Sequence, residues 1–319
     1  MKTDFLSSLI FSVGVTLPTI LLLILGMLIR KKKMIDDRFC EQSTKVVFNI
    51  TLPVLLFFSV YGKHVDYISQ MAVLSVGIIG TISLFLLAEL FAARFIAEKR
   101  ERGTFVQAIY RGNSGILGLA FCISAFGDSA AVPASIYSAA VIFLYNILAV
   151  ITLTRSLSTG SVSVVSIMKG VIKNPLIIAI LFALLANSIS LELPAPLLST
   201  GNYLANMTLP LALICTGATI DLSVFSNKTS NVVLMGSLGR LVVTPVFMIL
   251  IGKVFGLDGM LLGVVALMNT TPVASAAYAM VRAMGGNSVT VANIIGITTV
   301  GSMITSSLML LILSQAGWI

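Results

Sequence analysis

Ten stretches of about 20 mostly apolar residues, joined by short connections, constrain this chain more than any other feature. A helix rises 1.5 Å per residue, so a run of that length crosses a hydrocarbon core of about 30 Å. The runs occupy roughly residues 7–29, 43–62, 68–93, 104–126, 130–154, 170–190, 197–219, 231–252, 259–282 and 288–315. Of the 319 residues, 57% are apolar and only 10% charged. An ordinary globular domain carries roughly 25% charged residues. A soluble fold of this size has no interior large enough to hide so much apolar surface. The fold class implied is an all-α membrane protein with ten transmembrane helices.

The net charge of +8 does not mark a nucleic-acid binder, because the basic residues form short clusters between the apolar runs. With the N-terminus outside, one side of the membrane receives Arg30 to Lys33, Arg38, Lys45, Arg94, Lys99, Arg100, Arg102, Arg111, Arg155, Lys169, Lys173, Lys228 and Arg282. The other receives Lys2, Lys63 and Lys253. That bias makes the first side cytoplasmic and puts both termini outside, on the periplasmic side of a cell inner membrane. The first run ends in Arg30-Lys31-Lys32-Lys33 rather than at a small-residue cleavage site, so it is expected to be retained as a span. Cys40, Cys122 and Cys215 show no CxxC spacing and His64 stands alone, so neither a cofactor nor a bound metal is expected.

An internal repeat organises the spans. Asn49-Ile50-Thr51-Leu52-Pro53 recurs as Asn206-Met207-Thr208-Leu209-Pro210, and Asn113-Ser114 recurs as Asn269-Thr270. Gly62 and Asp66 match Gly217 and Asp221 at nearly the same offset. The chain therefore divides into a first repeat (1–155), a cytoplasmic linker (156–169) and a second repeat (170–319). Five spans per half is an odd number, so the second half enters the membrane inverted, an arrangement common among secondary transporters.

The fourth and ninth spans are poor continuous helices. The fourth carries Arg111-Gly112-Asn113-Ser114-Gly115 and then Gly118; the ninth carries Asn269-Thr270-Thr271-Pro272. Glycine costs about 1 kcal/mol in a helix interior relative to alanine, and proline about 3. Breaks at matching places in two inverted halves point to a substrate site, where freed N–H groups and the positive end of a half-helix attract an anion. Asn113 and Asn269 each add an amide donor and acceptor. Small residues at helical spacing also serve close packing, which is the competing role for Gly115 and Gly118.

Thr51 and Thr208 precede Pro53 and Pro210, and either line the site or satisfy backbone groups that the prolines loosen. Arg240 lies near the midplane of the eighth span and must pair with something or face a wet cavity. Its partner is either Glu89, in a structural salt bridge, or an anionic substrate. Asp66 and Asp221 lie at span ends, as helix caps or as carriers of a coupling ion.

Together the motifs resemble those of the auxin efflux carrier family, in particular the bacterial branch associated with malate and malonate transport. The residues concerned are Phe48-Asn49-Ile50-Thr51-Leu52-Pro53, Gly112-Asn113-Ser114-Gly115, Lys173-Asn174-Pro175-Leu176-Ile177 and Thr271-Pro272-Val273-Ala274. The resemblance implies two inverted five-helix repeats, similar in architecture to the sodium/bile-acid symporters. It also implies an elevator-like motion, with the fourth and ninth helices broken and crossing at the substrate. The implied site comprises Gly112, Asn113, Ser114, Asn269, Thr270, Thr271 and Pro272, to which Thr51, Thr208 and Arg240 are added from the arguments above. Plant carriers have Pro-Asn where this chain has Gly112-Asn113, which favours a small carboxylate over auxin. The expected function is secondary transport of a small organic anion, with proton or sodium coupling and a homodimer both open. The rivals are a sodium-coupled symporter and a non-transporting receptor or scaffold. No nucleophile–base pair appears within the spans, so an enzyme is not expected.

Single cysteines in the Lys31 loop and at Ser158 should be labelled only from the cytoplasm, and cysteines at Gly62 and Trp318 only from outside. Labelling of the Ser158 and Trp318 positions from the same side would end the inverted-repeat reading.

Overall fold

Every regular element among the described residues is helical, and each of the ten apolar stretches contains helix. The structure, a computed structural model, describes residues 5–62, 71–158, 172–221 and 230–319. His64, Asp66 and most of the 156–169 linker lie outside these. The helices are α1 (Phe5–Lys31), α2 (Asp37–Val60), α3 (Met71–Phe95), α4 (Lys99–Tyr110), α5 (Leu119–Phe126) and α6 (Ala131–Leu157). They continue with α7 (Pro175–Ser188), α8 (Ala195–Thr219), α9 (Asn231–Val254), α10 (Gly259–Asn269), α11 (Ser275–Ala283) and α12 (Ser288–Gln315). The fourth stretch is split into α4 and α5, and the ninth into α10 and α11. Among the described residues, five helical stretches are long and apolar enough to cross a membrane: α2, α3, Ser114–Leu157, α9 and α12.

Local sequence accounts for the ends and the bends. Asp36 caps α2 by accepting from Phe39 N–H at 2.7 Å. Asn174 caps α7 by accepting from Leu176 N–H at 2.9 Å, with Pro175 in the first turn, where no N–H is needed. Asn287 does the same for α12. Within α2, a π turn at Val47–Thr51 precedes Pro53; within α9, another at Gly239–Val243 precedes Pro245. A proline removes one backbone donor and crowds the preceding turn, and a widened turn accommodates both effects. Gly127, at φ 72°, sits where α5 gives way to α6.

Two apolar cores form. One joins α3, α4, α6, α9 and α10; the other joins α2, α7, α8, α11 and α12. At the edge of the second core, α1 packs on α8 backbone to backbone. A Cβ on Gly26 would overlap the Ile214 carbonyl, and one on Gly217 would overlap the Leu23 carbonyl. Such small-residue contacts let helices approach where water supplies no driving force.

Gly217→Ala should therefore lower stability by about 1–3 kcal/mol, because only a backbone shift relieves the overlap. Gly14, in the same α1, has nothing within 4 Å of a would-be Cβ, so Gly14→Ala should be silent. Thermal unfolding of the detergent-purified variants compares the two, and equal midpoints would remove the close-approach argument.

Candidate functional site

The two interrupted stretches meet at their interruptions. Asn113 N–H donates to Pro272 O at 2.8 Å, and Ala274 N–H donates to Arg111 O at 3.1 Å. Gly112 and Val273 thus form a short antiparallel bridge. Val273 N–H also donates to Thr298 Oγ1 of α12 at 3.2 Å, which ties the bridge to a third element. Two helices end here, α4 and α10, and two helical segments begin, at Ser114 and Ser275.

Arg240, fully buried in the π turn of α9, holds the ending helices. Its Nε donates to Thr271 O at 2.8 Å and its Nη2 to Thr271 Oγ1 at 3.0 Å. Its Nη1 reaches Ile109 O and Tyr110 O at 3.2 and 3.4 Å. These acceptors are terminal carbonyls of α4 and the carbonyl and hydroxyl of Thr271, two residues beyond α10, where the helix dipoles gather negative charge. Thr244 Oγ1 adds a bond to Ile109 O at 2.8 Å. A Cβ on Gly112 would overlap the Arg240 guanidinium and Thr271 Oγ1, so this position has room only for glycine.

The expected pairing of Arg240 with Glu89 is not found. Glu89 accepts instead from Thr152 Oγ1 and, at 3.1 Å, from Arg155. Backbone carbonyls left by two broken helices supply the acceptors that a carboxylate was expected to supply.

Beside the bridge lies a cavity of about 110 Å³. Arg111, Gly112, Asn113, Asn146, Thr208 and Ser275 give it its polar wall, and Leu55, Leu56, Ile116 and Ile142 are among its apolar residues. The opening turns of both second segments line it, through Gly115 and Ile116 on one side and Ser275 and Ala276 on the other. The first N–H groups of a helix have no partner within it, so both turns present positive potential. Arg111 is 3% exposed and donates to Tyr145 O at 3.2 Å and Asn146 Oδ1 at 2.9 Å. Among the described residues, no carboxylate pairs with Arg111 or Arg240.

Of the residues singled out in the sequence, Gly112, Asn113 and Thr208 line this cavity. Asn269 does not: its amide donates to Tyr137 Oη at 2.7 Å and to Val265 O at 2.8 Å, within the packed interior. Ser114, Thr270 and Thr271 turn their hydroxyls to the α10 carbonyls of Met268, Leu267 and Met268 in turn. Pro272 contributes its carbonyl to the bridge, and Thr51 is buried with no partner for its hydroxyl. Arg111 was counted with the cytoplasmic charges; its burial beside Gly112 corrects that count. The signal was present, since Arg111 directly precedes the break. Asn146 and Ser275 carried no such signal.

Residues 11–310 match the family described as membrane transport protein. This chain belongs to that family. The match bears out the resemblance to the auxin efflux carriers. A protein of Methanothermobacter thermautotrophicus described as an uncharacterized transporter is 26% identical over 310 residues, covering 96% of this chain and 97% of its own. Family membership and the apolar helices make the chain an integral membrane protein of a transporter family.

Arg240→Ala should leave the Thr271 carbonyl without its donor, untie the end of α4 from the end of α10 and lower stability by about 3–5 kcal/mol, the usual scale for breaking a buried charged network. Arg240→Lys should not restore it, because one ammonium cannot reach both helix ends. Recovery of the thermal midpoint in a Glu89→Ala/Arg240→Ala double variant would show that the salt bridge, and not the carbonyl clamp, is the partner.

Proposed function

We propose that the chain is a secondary carrier of a small organic anion, a mono- or dicarboxylate, in the cell inner membrane. The observation that carries this reading is Arg111, a buried guanidinium in the wall of this cavity with no carboxylate partner among the described residues. A charge in that position is costly unless a counter-charge joins it. An anion bound there meets Arg111, the Asn113 amide and the N-terminal turns at Ser114 and Ser275.

In this reading the chain forms ten helices in two inverted five-helix repeats, with both termini periplasmic. Substrate moves by an elevator-like exchange in which the bridged interruptions travel together. The roles follow from the positions. Arg111, Asn113, Gly112 and Thr208 contact or surround the anion. Arg240, Asn269, Thr270, Thr271 and Pro272 hold the bridge in shape.

Binding of malonate and malate to the purified protein, followed by calorimetry, tests the assignment. Charge-assisted hydrogen bonds contribute about 1.5–3 kcal/mol, so Arg111→Gln and Asn113→Ala should each weaken binding about 10- to 100-fold. Asn113→Asp should do worse than alanine, because its charge repels the ligand. Asn269→Ala should reduce stability more than affinity, since it leaves the Tyr137 hydroxyl without its partner. Ser124→Ala, on the exposed side of α5, should match the parent. Carboxylate binding of parental affinity in Asn113→Asp would show that the cavity is not the substrate site.

A further inference from the structure

A second buried polar group lies at the other end of α4, away from the bridge. Glu101, 4% exposed, stands in the first turn, with Thr104 and Gln107 following at intervals of three on one flank of the helix. All three are buried. Glu101 Oε1 accepts from Asn287 Nδ2 at 2.6 Å and from Thr290 Oγ1 at 3.2 Å, both at the start of α12. Its Oε2 has no partner, and neither has Thr104 Oγ1 or either end of the Gln107 amide.

No cation neutralises this carboxyl among the described residues. Every charged group on the surrounding elements is engaged elsewhere. On α3, Glu89 pairs with Arg155 of α6, and Arg94 lies over the Phe95 ring. On α9, Arg240 clamps the helix ends and Lys253 pairs with Asp258. On α11, Arg282 bonds Tyr278 and Thr219. On α4 itself, Lys99, Arg100 and Arg102 donate to the carbonyls of Ser158, Gly285 and Ile96. Glu98, just before the helix, adds only like charge. Helix α12 brings no charged residue.

A buried carboxylate with one bare oxygen and no counter-ion is a costly species. The neutral acid is not. Its carbonyl oxygen, Oε1, keeps both donors, and its hydroxyl, Oε2, becomes a donor in a flank that holds unpartnered acceptors. Glu101 lies ahead of the span that begins near residue 104. Burial raises its pKa above the ordinary carboxylate value, against the smaller opposing effect of the Asn287 and Thr290 bonds.

We propose that Glu101 is a proton-binding site, protonated at Oε2 while the α4–α12 seam is closed and releasing that proton to water when the seam opens. Its use as the coupling ion of transport rests on the carrier reading above; the proton binding itself does not. The orphan donor at Gln107 Nε2 favours a proton over a metal cation, which would have to share the flank with it.

Infrared difference spectroscopy of the purified protein, titrated between about pH 5 and 9, reads the site without substrate. The parent should show a carboxylic-acid C=O band that disappears as pH rises, and Glu101→Gln should lack it. Stability follows the same titration. The folded state holds a proton that the unfolded state releases at lower pH, so stability is full below the ordinary glutamate value and falls as pH rises through the raised one. Glu101→Gln should abolish that fall. Thr290→Val removes one bond to Oε1 and should move the band's midpoint to higher pH, which keeps the test open if the glutamine variant folds poorly. In proteoliposomes, malonate uptake driven by a pH gradient should be lost in Glu101→Gln while malonate exchange is retained. No titrating band in the parent, or an unchanged band in Glu101→Gln, would overturn the proton site, and unchanged gradient-driven uptake in that variant would overturn its use in coupling. Absence of malonate uptake by the parent, with the band intact, counts against the anion reading alone.

Discussion

The structure depends on how two broken helices are closed off inside an apolar environment. Each interruption frees backbone carbonyls that neither lipid nor an apolar side chain can satisfy. Arg240 answers both at once, because a guanidinium carries five donors in a rigid plane. It joins the end of α4 to the end of α10 from a third helix. The neighbouring requirements follow. Gly112 has no side chain because the guanidinium occupies that space. The π turn in α9 places Arg240 within one widened coil, next to Thr244, which serves the same Ile109 carbonyl.

With that clamp in place, the second arginine is left for a different task. Arg111 is one residue from the bridge, yet its head turns toward Tyr145 and Asn146 and the cavity. Both guanidiniums are buried, and they differ in what they face. Arg240 meets carbonyls of fixed position and is internally satisfied. Arg111 meets two neutral acceptors and also lines the cavity, where a ligand can reach it. A binding site built this way attracts an anion without holding a permanent counter-ion that the anion would have to displace.

The parts of this arrangement that sequence made legible were those where backbone chemistry is written in residue type. Gly112 and Pro272 mark helix breaks because no other common residues cost a helix so much. Asn174-Pro175 marks a helix start for the same kind of reason. The depth of Arg240 along its span was also readable. Its partner was not, because backbone carbonyls appear at every position and only tertiary geometry decides which are left over. Side-chain acceptors, by contrast, are visible in a sequence, and Glu89 drew attention for that reason. Counting charges by loop placed Arg111 on the cytoplasmic side, since a topology count has no term for a cation at a break. Asn113 and Asn269 match as members of a recurring sequence motif, whereas the structure turns one toward the cavity and the other toward Tyr137.

The antiparallel bridge also bears on how the chain is made. Asn113 and its partner Pro272 are 272 − 113 = 159 positions apart. A chain emerges N-terminus first, so α4 is synthesised long before the strand of backbone that will cover its end. Until α10 and α11 arrive, Arg111 and Asn113 lack the bridge, and Arg240 of α9 can hold only the α4 side of its clamp. The break must then wait beside water or an insertion partner, because lipid offers its polar groups nothing. Completion of the cavity is thus among the last events of biogenesis, and a chain truncated before α10 has helices but no place for a ligand.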